Sequence, residues 1–231
     1  GSISRSLKIN GNAPETKRWE QEINFKEAFV DSVLDHSMIE EHNRSLITLT
    51  NNLFLVDTVL TNRSEEEISI EFQVRFHFCE SCAVYSPVPS TSGLSFNYAI
   101  QEILGLLHYD FSTTGVNIDV ETKVDDSGFS AAFTLQLLPG QNALISNWVH
   151  FSDRLEYQPE ITPEKLDAAA EDHELSWRAF WNQSSVTTGN TLVDEFRTSS
   201  LYTLRCQLTP WSIPPALAEP YWGGGFFHDE M

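Results

Sequence analysis

The sequence predicts a mainly β fold, an antiparallel two-sheet β-sandwich followed by a short helical part. Three observations carry this. An eleven-residue stretch alternates strictly between large apolar and polar side chains, a strand-turn-strand pattern follows it, and the apolar period changes from two to between three and four after Asp153.

Residues 1–18 are polar and aperiodic and read as a tail or an entering loop, with Gly1-Ser2 resembling a cloning scar rather than a signal peptide. Ser45 to Thr50 and Leu53 to Asn62 form two β-branched, apolar runs parted by Asn51-Asn52, and Asn62-Arg63-Ser64 turns the chain into a third. In that third run Ile68, Ile70, Phe72, Val74, Phe76 and Phe78 alternate with Ser69, Glu71, Gln73, Arg75 and His77. Successive side chains on a strand point to opposite faces, so the apolar set faces a core while the polar set, His77 included, faces water. Tyr85 to Ser95 reads as a loop because Pro87, Pro89 and Gly93 interrupt it. Val116, Ile118, Val120, Thr122 and Val124 alternate up to the turn Asp125-Asp126-Ser127-Gly128. Phe129, Ala131, Phe133, Leu135 and Leu137 alternate after it, which makes a hairpin. Pro139-Gly140-Gln141-Asn142 turns the chain once more into a strand over Ala143 to Phe151. Short strands, frequent turns and no helical period over this length predict two packed antiparallel sheets.

Beyond Asp153, Thr162 is placed as an N-cap with Pro163 at the first helical position. Leu166, Ala170, His173, Trp177 and Phe180 then recur at helical spacing. A second helix is expected from about Asn190, with Asp194 and Glu195 in its first turn. Its apolar face would hold Val193, Phe196, Ser200, Leu204 and Leu208, and Thr209-Pro210 would end it. Two helices do not bury their own apolar stripes, so an exposed stripe is expected here.

About two-fifths of the residues are apolar, enough for a sizeable core in a chain of 231 residues. Fourteen basic against thirty-three acidic residues give a formal charge of −19, which repels phosphate backbones and anionic lipid, so neither nucleic acid nor membrane is expected as a partner. No apolar run approaches the roughly 20 residues of a spanning helix. Cys79, Cys82 and Cys206 are too few for a disulfide framework. The Cys79-Glu80-Ser81-Cys82 spacing occurs in redox pairs and half zinc sites, but no second pair or paired histidine accompanies it, and two ordinary cysteines at a strand end are the default reading. The seven histidines show no metal-binding spacing, so no metal and no cofactor are expected. Asn43, Asn62 and Asn182 each begin a short glycosylation sequon.

The segment from Ala218 to Met231 carries most of the functional signal. Aromatic rings offer flat apolar faces to the C–H face of a sugar, carboxylate and imidazole serve its hydroxyls, and Gly223-Gly224-Gly225 lets the backbone approach a ligand. A glycine hinge followed by a core-bound aromatic cluster is the structural alternative.

The order of a strand-rich domain, Ser176-Trp177-Arg178-Ala179-Phe180-Trp181-Asn182-Gln183-Ser184, a helix from Gly189-Asn190 and then Tyr221-Trp222-Gly223-Gly224-Gly225-Phe226-Phe227-His228-Asp229-Glu230 resembles the six-hairpin glycosidase superfamily, nearest to glycoside hydrolase family 65. Trp19 to Phe25 resembles a strand of that family's sandwich. The resemblance implies a β-sandwich, a helical linker and an (α/α)6 barrel, which here would be 1–155, 156–188 and the truncated start 189–231. A barrel of a dozen helices needs at least roughly 240 residues, so only its first hairpin would be present. The implied activity is inverting hydrolysis or phosphorolysis of α-glycosides, with an oligosaccharide or glycoside substrate, water or inorganic phosphate as acceptor, and a homodimer.

In that family an aromatic, glycine and acidic stretch lines the sugar pocket, and Tyr221, Gly223, Phe227 and Asp229 fall on matching positions. Substrate-binding roles are therefore implied for Tyr221, Trp222, Phe227, His228 and Asp229. His228 stands where the family has tryptophan and Met231 where it has glutamate. The family's catalytic acid and base lie deeper in the barrel, so no catalytic residue is assigned, and the fragment is expected to be inactive alone. The alternative from a different class is a non-catalytic carbohydrate-binding sandwich.

Overall fold

The computed structural model describes residues 2–48, 52–78, 84–90, 93–100, 103–152, 162–183 and 185–207. Among them are twelve strands and two helices. In chain order the strands are β1 (Ser2–Ile9), β2 (Arg18–Asn24), β3 (Phe29–Asp35), β4 (Ile39–Ile47), β5 (Leu53–Asn62), β6 (Ile68–His77), β7 (Val84–Val88), β8 (Leu94–Ile100), β9 (Ile103–Thr114), β10 (Ile118–Asp125), β11 (Gly128–Leu137) and β12 (Asn142–Ser152). The helices are α1 (Pro163–Asn182) and α2 (Thr191–Gln207). A four-stranded sheet runs β1-β6-β11-β10 and an eight-stranded sheet runs β2-β3-β4-β5-β12-β9-β8-β7. The expected two-sheet antiparallel sandwich is the fold observed, and no closed barrel is formed by the described residues.

The chain divides into two compact units, one of residues 1–23 and 29–173 and the other of 24–28 and 174–231. The core of the first unit follows directly from strand alternation. Ile68, Ile70, Phe72, Val74 and Phe76 of β6 are buried, and β11 contributes Phe129, Ala131, Phe133, Leu135 and Leu137 from the neighbouring strand. Their rings stack: Phe129 lies 5.1 Å from Phe76 and 5.3 Å from Phe96, nearly parallel to both. Offset stacking of this kind adds to the gain from burying apolar area. The expected hairpin forms as β10 and β11, with Val124 opposite Phe129. Gly128 is fixed at the start of β11, because a Cβ there would strike the Phe76 carbonyl oxygen.

On the outer face of the eight-stranded sheet, Leu53, Leu55 and Trp148 pack with Leu166 and Ala169 from the first turns of α1. Thr162 receives the first helical hydrogen bonds at its carbonyl, from Lys165 N at 2.9 Å and Leu166 N at 3.0 Å, as expected of a residue in the cap position.

The second unit has its own aromatic cluster. Trp177 stacks on Tyr202 at 5.2 Å, Phe25 meets Tyr202 edge-on at 5.2 Å, and the Arg205 guanidinium sits 4.5 Å from the Phe180 ring centre. Trp181 Nε1 donates to the Lys26 carbonyl at 2.9 Å. Asn190 caps α2 as a side-chain acceptor, at 3.1 Å from Leu192 N. Of the apolar face expected on α2, Val193 is 46%, Phe196 73% and Leu204 44% accessible, and Leu208 lies outside the described residues.

Several expectations are corrected. The stretch before Arg18 is no tail, because Ser2–Ile9 pairs with β6 along its whole length. The Tyr85–Ser95 segment is not wholly a loop. Val84–Val88 forms an edge strand whose Pro87 sits where a sheet tolerates proline, and Leu94–Ile100 begins within the same segment. The strand expected at Ser45 to Thr50 lies earlier, at Ile39–Ile47. His77 keeps the expected outward phase of β6, at intermediate exposure, and meets Ser4 Oγ of the paired β1 at 2.8 Å. Cys79, Cys82 and the end of the second helix at Thr209-Pro210 lie outside the described residues.

Candidate functional site

The interior of the sandwich is not uniformly apolar. In β4 the inward phase reads Ile39, Glu41, Asn43 and Ser45, so a carboxylate and an amide occupy core positions, at 5% and 3% accessibility for Glu41 and Asn43. Burying a charge is costly unless it is paired and hydrogen-bonded, and Glu41 is both. Asn43 Nδ2 donates to Glu41 Oε1 at 2.8 Å, His36 Nε2 lies 3.4 Å from Oε2, and Arg5 reaches across from β1 to within 3.6 Å of Oε1. Thr58 Oγ1 donates to Asn43 Oδ1 at 2.7 Å, and Thr16 Oγ1 lies 3.1 Å from His36 Nδ1. The result is a connected polar chain reaching from β1 to β5.

Beside this chain is a cleft of about 180 Å³. Its polar lining includes Arg5, Asn43 and Asn147, and its apolar wall includes Phe54, Val56 and Phe76. Tyr109 stands at its floor with its hydroxyl donating to Asn147 Oδ1 at 2.7 Å. Burial, together with the nearby Asp110 charge, drives the Tyr109 phenol far above its ordinary pKa, so it remains a neutral donor. Asn147 is 5% accessible and its Nδ2 has no hydrogen-bond partner. Native proteins rarely leave a buried amide donor unused, so this group identifies the cleft as the candidate site in the sandwich.

A second polar line crosses the opposite face of the large sheet. His108 on β9 stands directly across from His150 on β12. Ser95 Oγ is 2.8 Å from His108 Nδ1, and Asp110 Oδ2 is 3.9 Å from His108 Nε2. Desolvation lowers the pKa of both imidazoles. The neighbouring Asp110 charge partly opposes this at His108, and the neighbouring His108 reinforces it at His150. The order of serine, imidazole and carboxylate resembles a hydrolytic triad, but Ser95 and His108 are each 3% accessible and Asp110 is beyond hydrogen-bond range of the ring. A nucleophile has to be reachable by its substrate, so this line is a structural polar cluster.

The sugar-pocket residues expected from sequence, Tyr221, Trp222, Phe227, His228 and Asp229, lie outside the described residues. Two of the three sequons are closed to modification in the folded chain. Asn43 is committed to Glu41 and Thr58, and Asn62, fully buried, donates to the Glu66 and Leu137 carbonyls. Sequence reasoning missed Arg5, Glu41, Asn43 and Asn147. The signal was present in the alternation, since Asn147 shares the inward phase of Ile145 and Val149, and a polar residue in an apolar phase marks a buried network. Among the described residues no cluster of potential metal ligands occurs, and no helix is long and apolar enough to cross a membrane.

No family model and no curated protein matches the chain. Solved structures do. A bacterial glucoamylase complexed with acarbose superposes with a TM-score of 0.55 at 9% identity, covering 88% of this chain and 35% of that one. A putative kojibiose phosphorylase from the human microbiome gives 0.48 at 6% identity, covering 88% and 27%. A heparan sulfate lyase mutant of Pedobacter heparinus gives 0.42 at 10% identity, covering 66% and 24%. The chain thus spans only about a quarter to a third of the length of each. The last two likenesses are too loose to carry an argument. At such low identity the first speaks to architecture alone: the fold of this chain, a two-sheet sandwich followed by helices, is one shared with part of a bacterial glucoamylase.

Proposed function

We propose that this chain is the N-terminal part of a carbohydrate-active enzyme, an inverting α-glycoside hydrolase or phosphorylase. The observation that supports the reading is the glucoamylase likeness, which spans 88% of this chain while this chain spans 35% of the other. The order of strand-rich domain, helices and Tyr221-Trp222-Gly223 agrees with it. In this reading residues 1–155 form the sandwich, 156–188 the linker and 189–231 the opening of a helical barrel. Tyr221, Trp222, Phe227, His228 and Asp229 bind the sugar, with rings against its C–H face and the Asp229 carboxylate accepting from a hydroxyl. The substrate is an oligosaccharide or glycoside, attacked by water or inorganic phosphate, and the assembled protein is a homodimer.

Inversion needs a protonated acid and a second group on the opposite face of the ring. Neither is supplied by the segment around Asp229, so residues 1–231 alone turn nothing over. The exposed face of α2 is consistent with a helical neighbour, because an apolar stripe of this kind is ordinarily covered in a bundle. The test uses the gene's full product. α-Linked glucobioses are incubated with and without phosphate, and the anomer of the released sugar or sugar phosphate is read by NMR. Turnover with inversion, reduced at least roughly a hundredfold by Asp229→Ala, supports the reading. A full product that neither binds nor cleaves any α-glycoside sinks it.

A further inference from the structure

We propose that the cleft between β1 and the inner face of the large sheet binds one small, neutral, hydroxyl-rich ligand of the size of a single sugar ring or cyclic polyol. The site lies wholly within the first unit and does not depend on the enzyme reading.

Size comes first. A cleft of about 180 Å³ corresponds to the liquid volume of about six waters, which is a six-membered ring with its substituents and smaller than most drug-sized sites. Water alone suits it poorly, because ordered waters each need two to four polar partners, whereas one wall is built from Phe54, Val56 and Phe76. A ring with a C–H face and a hydroxylated edge matches a lining that is apolar on one side and polar on the other.

Hydrogen-bonding capacity sets the chemistry. Asn43 is engaged at both ends of its amide, Nδ2 donating to Glu41 and Oδ1 accepting from Thr58. Asn147 Oδ1 is taken by the Tyr109 hydroxyl, while its Nδ2 has no partner. The Arg5 guanidinium stands 3.6 Å from Glu41, outside hydrogen-bond range, and its side chain is one-third accessible. These two groups are donors, and the Ser32 and Ser45 hydroxyls and the Gln21 amide, which donate and accept, share the lining, so the ligand presents oxygens that can do both. An anion is disfavoured, because the buried Glu41 carboxylate already balances Arg5 and the chain as a whole carries −19. Hydroxyl oxygens meet both donors without that repulsion.

The experiment is a titration of the 15N-labelled chain with D-glucose, myo-inositol and, separately, sodium phosphate, following the Asn147 side-chain amide. A saturable shift with one of the neutral rings, with dissociation on the order of millimolar, is expected. Val30→Phe narrows the cleft from its half-buried rim and should weaken binding at least roughly tenfold. Arg5→Met, on the exposed edge strand, should weaken it about threefold to tenfold and serves if Val30→Phe does not fold. The proposal is overturned if the amide does not move with either ring, if it moves only linearly, if phosphate is the sole probe that shifts it, or if a folded variant binds as the parent does.

Discussion

Two halves of one sandwich interior behave differently. Where β6 and β11 face the large sheet, Phe72, Phe96, Phe129 and Phe133 are each at most 1% accessible, and their rings close the space. Where β1 faces β4, the same pair of sheets encloses Glu41, Asn43 and Asn147 beside an open cleft. The difference arises because four strands oppose eight. The small sheet ends at β1, and an edge strand that alternates Ile3, Arg5 and Leu7 inward brings a guanidinium to the rim where the centre of the sheet would bring a ring. Apolar area is worth roughly 25 cal/mol per Å², so the aromatic half supplies stability, while the polar half has to satisfy every group it buries and leaves one over.

Substitutions separate the two halves. Phe129→Ala should be the most damaging, destabilising the chain by about 3–5 kcal/mol in chemical denaturation through the cavity left among three stacked or tilted rings. A loss below 1 kcal/mol would mean that the aromatic half is not the stabilising one. Glu41→Ala should cost about 1–3 kcal/mol by stranding Asn43 and His36. Near-neutrality there would show that the polar chain is replaceable by water. At the helix end in the second unit, Asn190→Ala should cost about 1 kcal/mol through loss of the α2 cap, read as reduced helicity. Phe196→Ser, at a site 73% accessible, should change unfolding by no more than about 0.5 kcal/mol while reducing self-association in sedimentation.

Acidity probes the outer histidine line. His108 and His150 have native pKa values below the ordinary 6.5. As pH falls through that value the unfolded chain takes up protons before the native one does. Stability is therefore fully present above about pH 6.5 and is lost on acidification until the lowered native values are passed. The melting temperature should fall from pH 7 toward pH 5, and His108→Gln with His150→Gln should flatten that slope. An unchanged slope in the double variant would assign the acid sensitivity elsewhere.

Much of this was legible in the residues. The strict alternation of Ile68 to Phe76 defined one face of β6, and the Asp125–Gly128 turn between two alternating runs defined the hairpin. Thr162-Pro163 and Asn190 marked the helix starts. These signals are local, since period and cap chemistry act within a few residues. The segment Ser2–Ile9 was not legible, because its polar residues acquire strand geometry only through pairing with β6.

The sequence by itself determined that this chain is a strand-rich acidic sandwich followed by two amphipathic helices, because side-chain period and turn chemistry are properties of consecutive residues. Tertiary structure alone decided that Arg5, Glu41, Asn43 and Asn147 would share one interior. Arg5, the Glu41–Asn43 pair of β4 and Asn147 lie far apart in the chain and are brought together by strand pairing and by the mismatch in width of the two sheets. Alternation specifies which residues share a face. Only the fold specifies what that face meets.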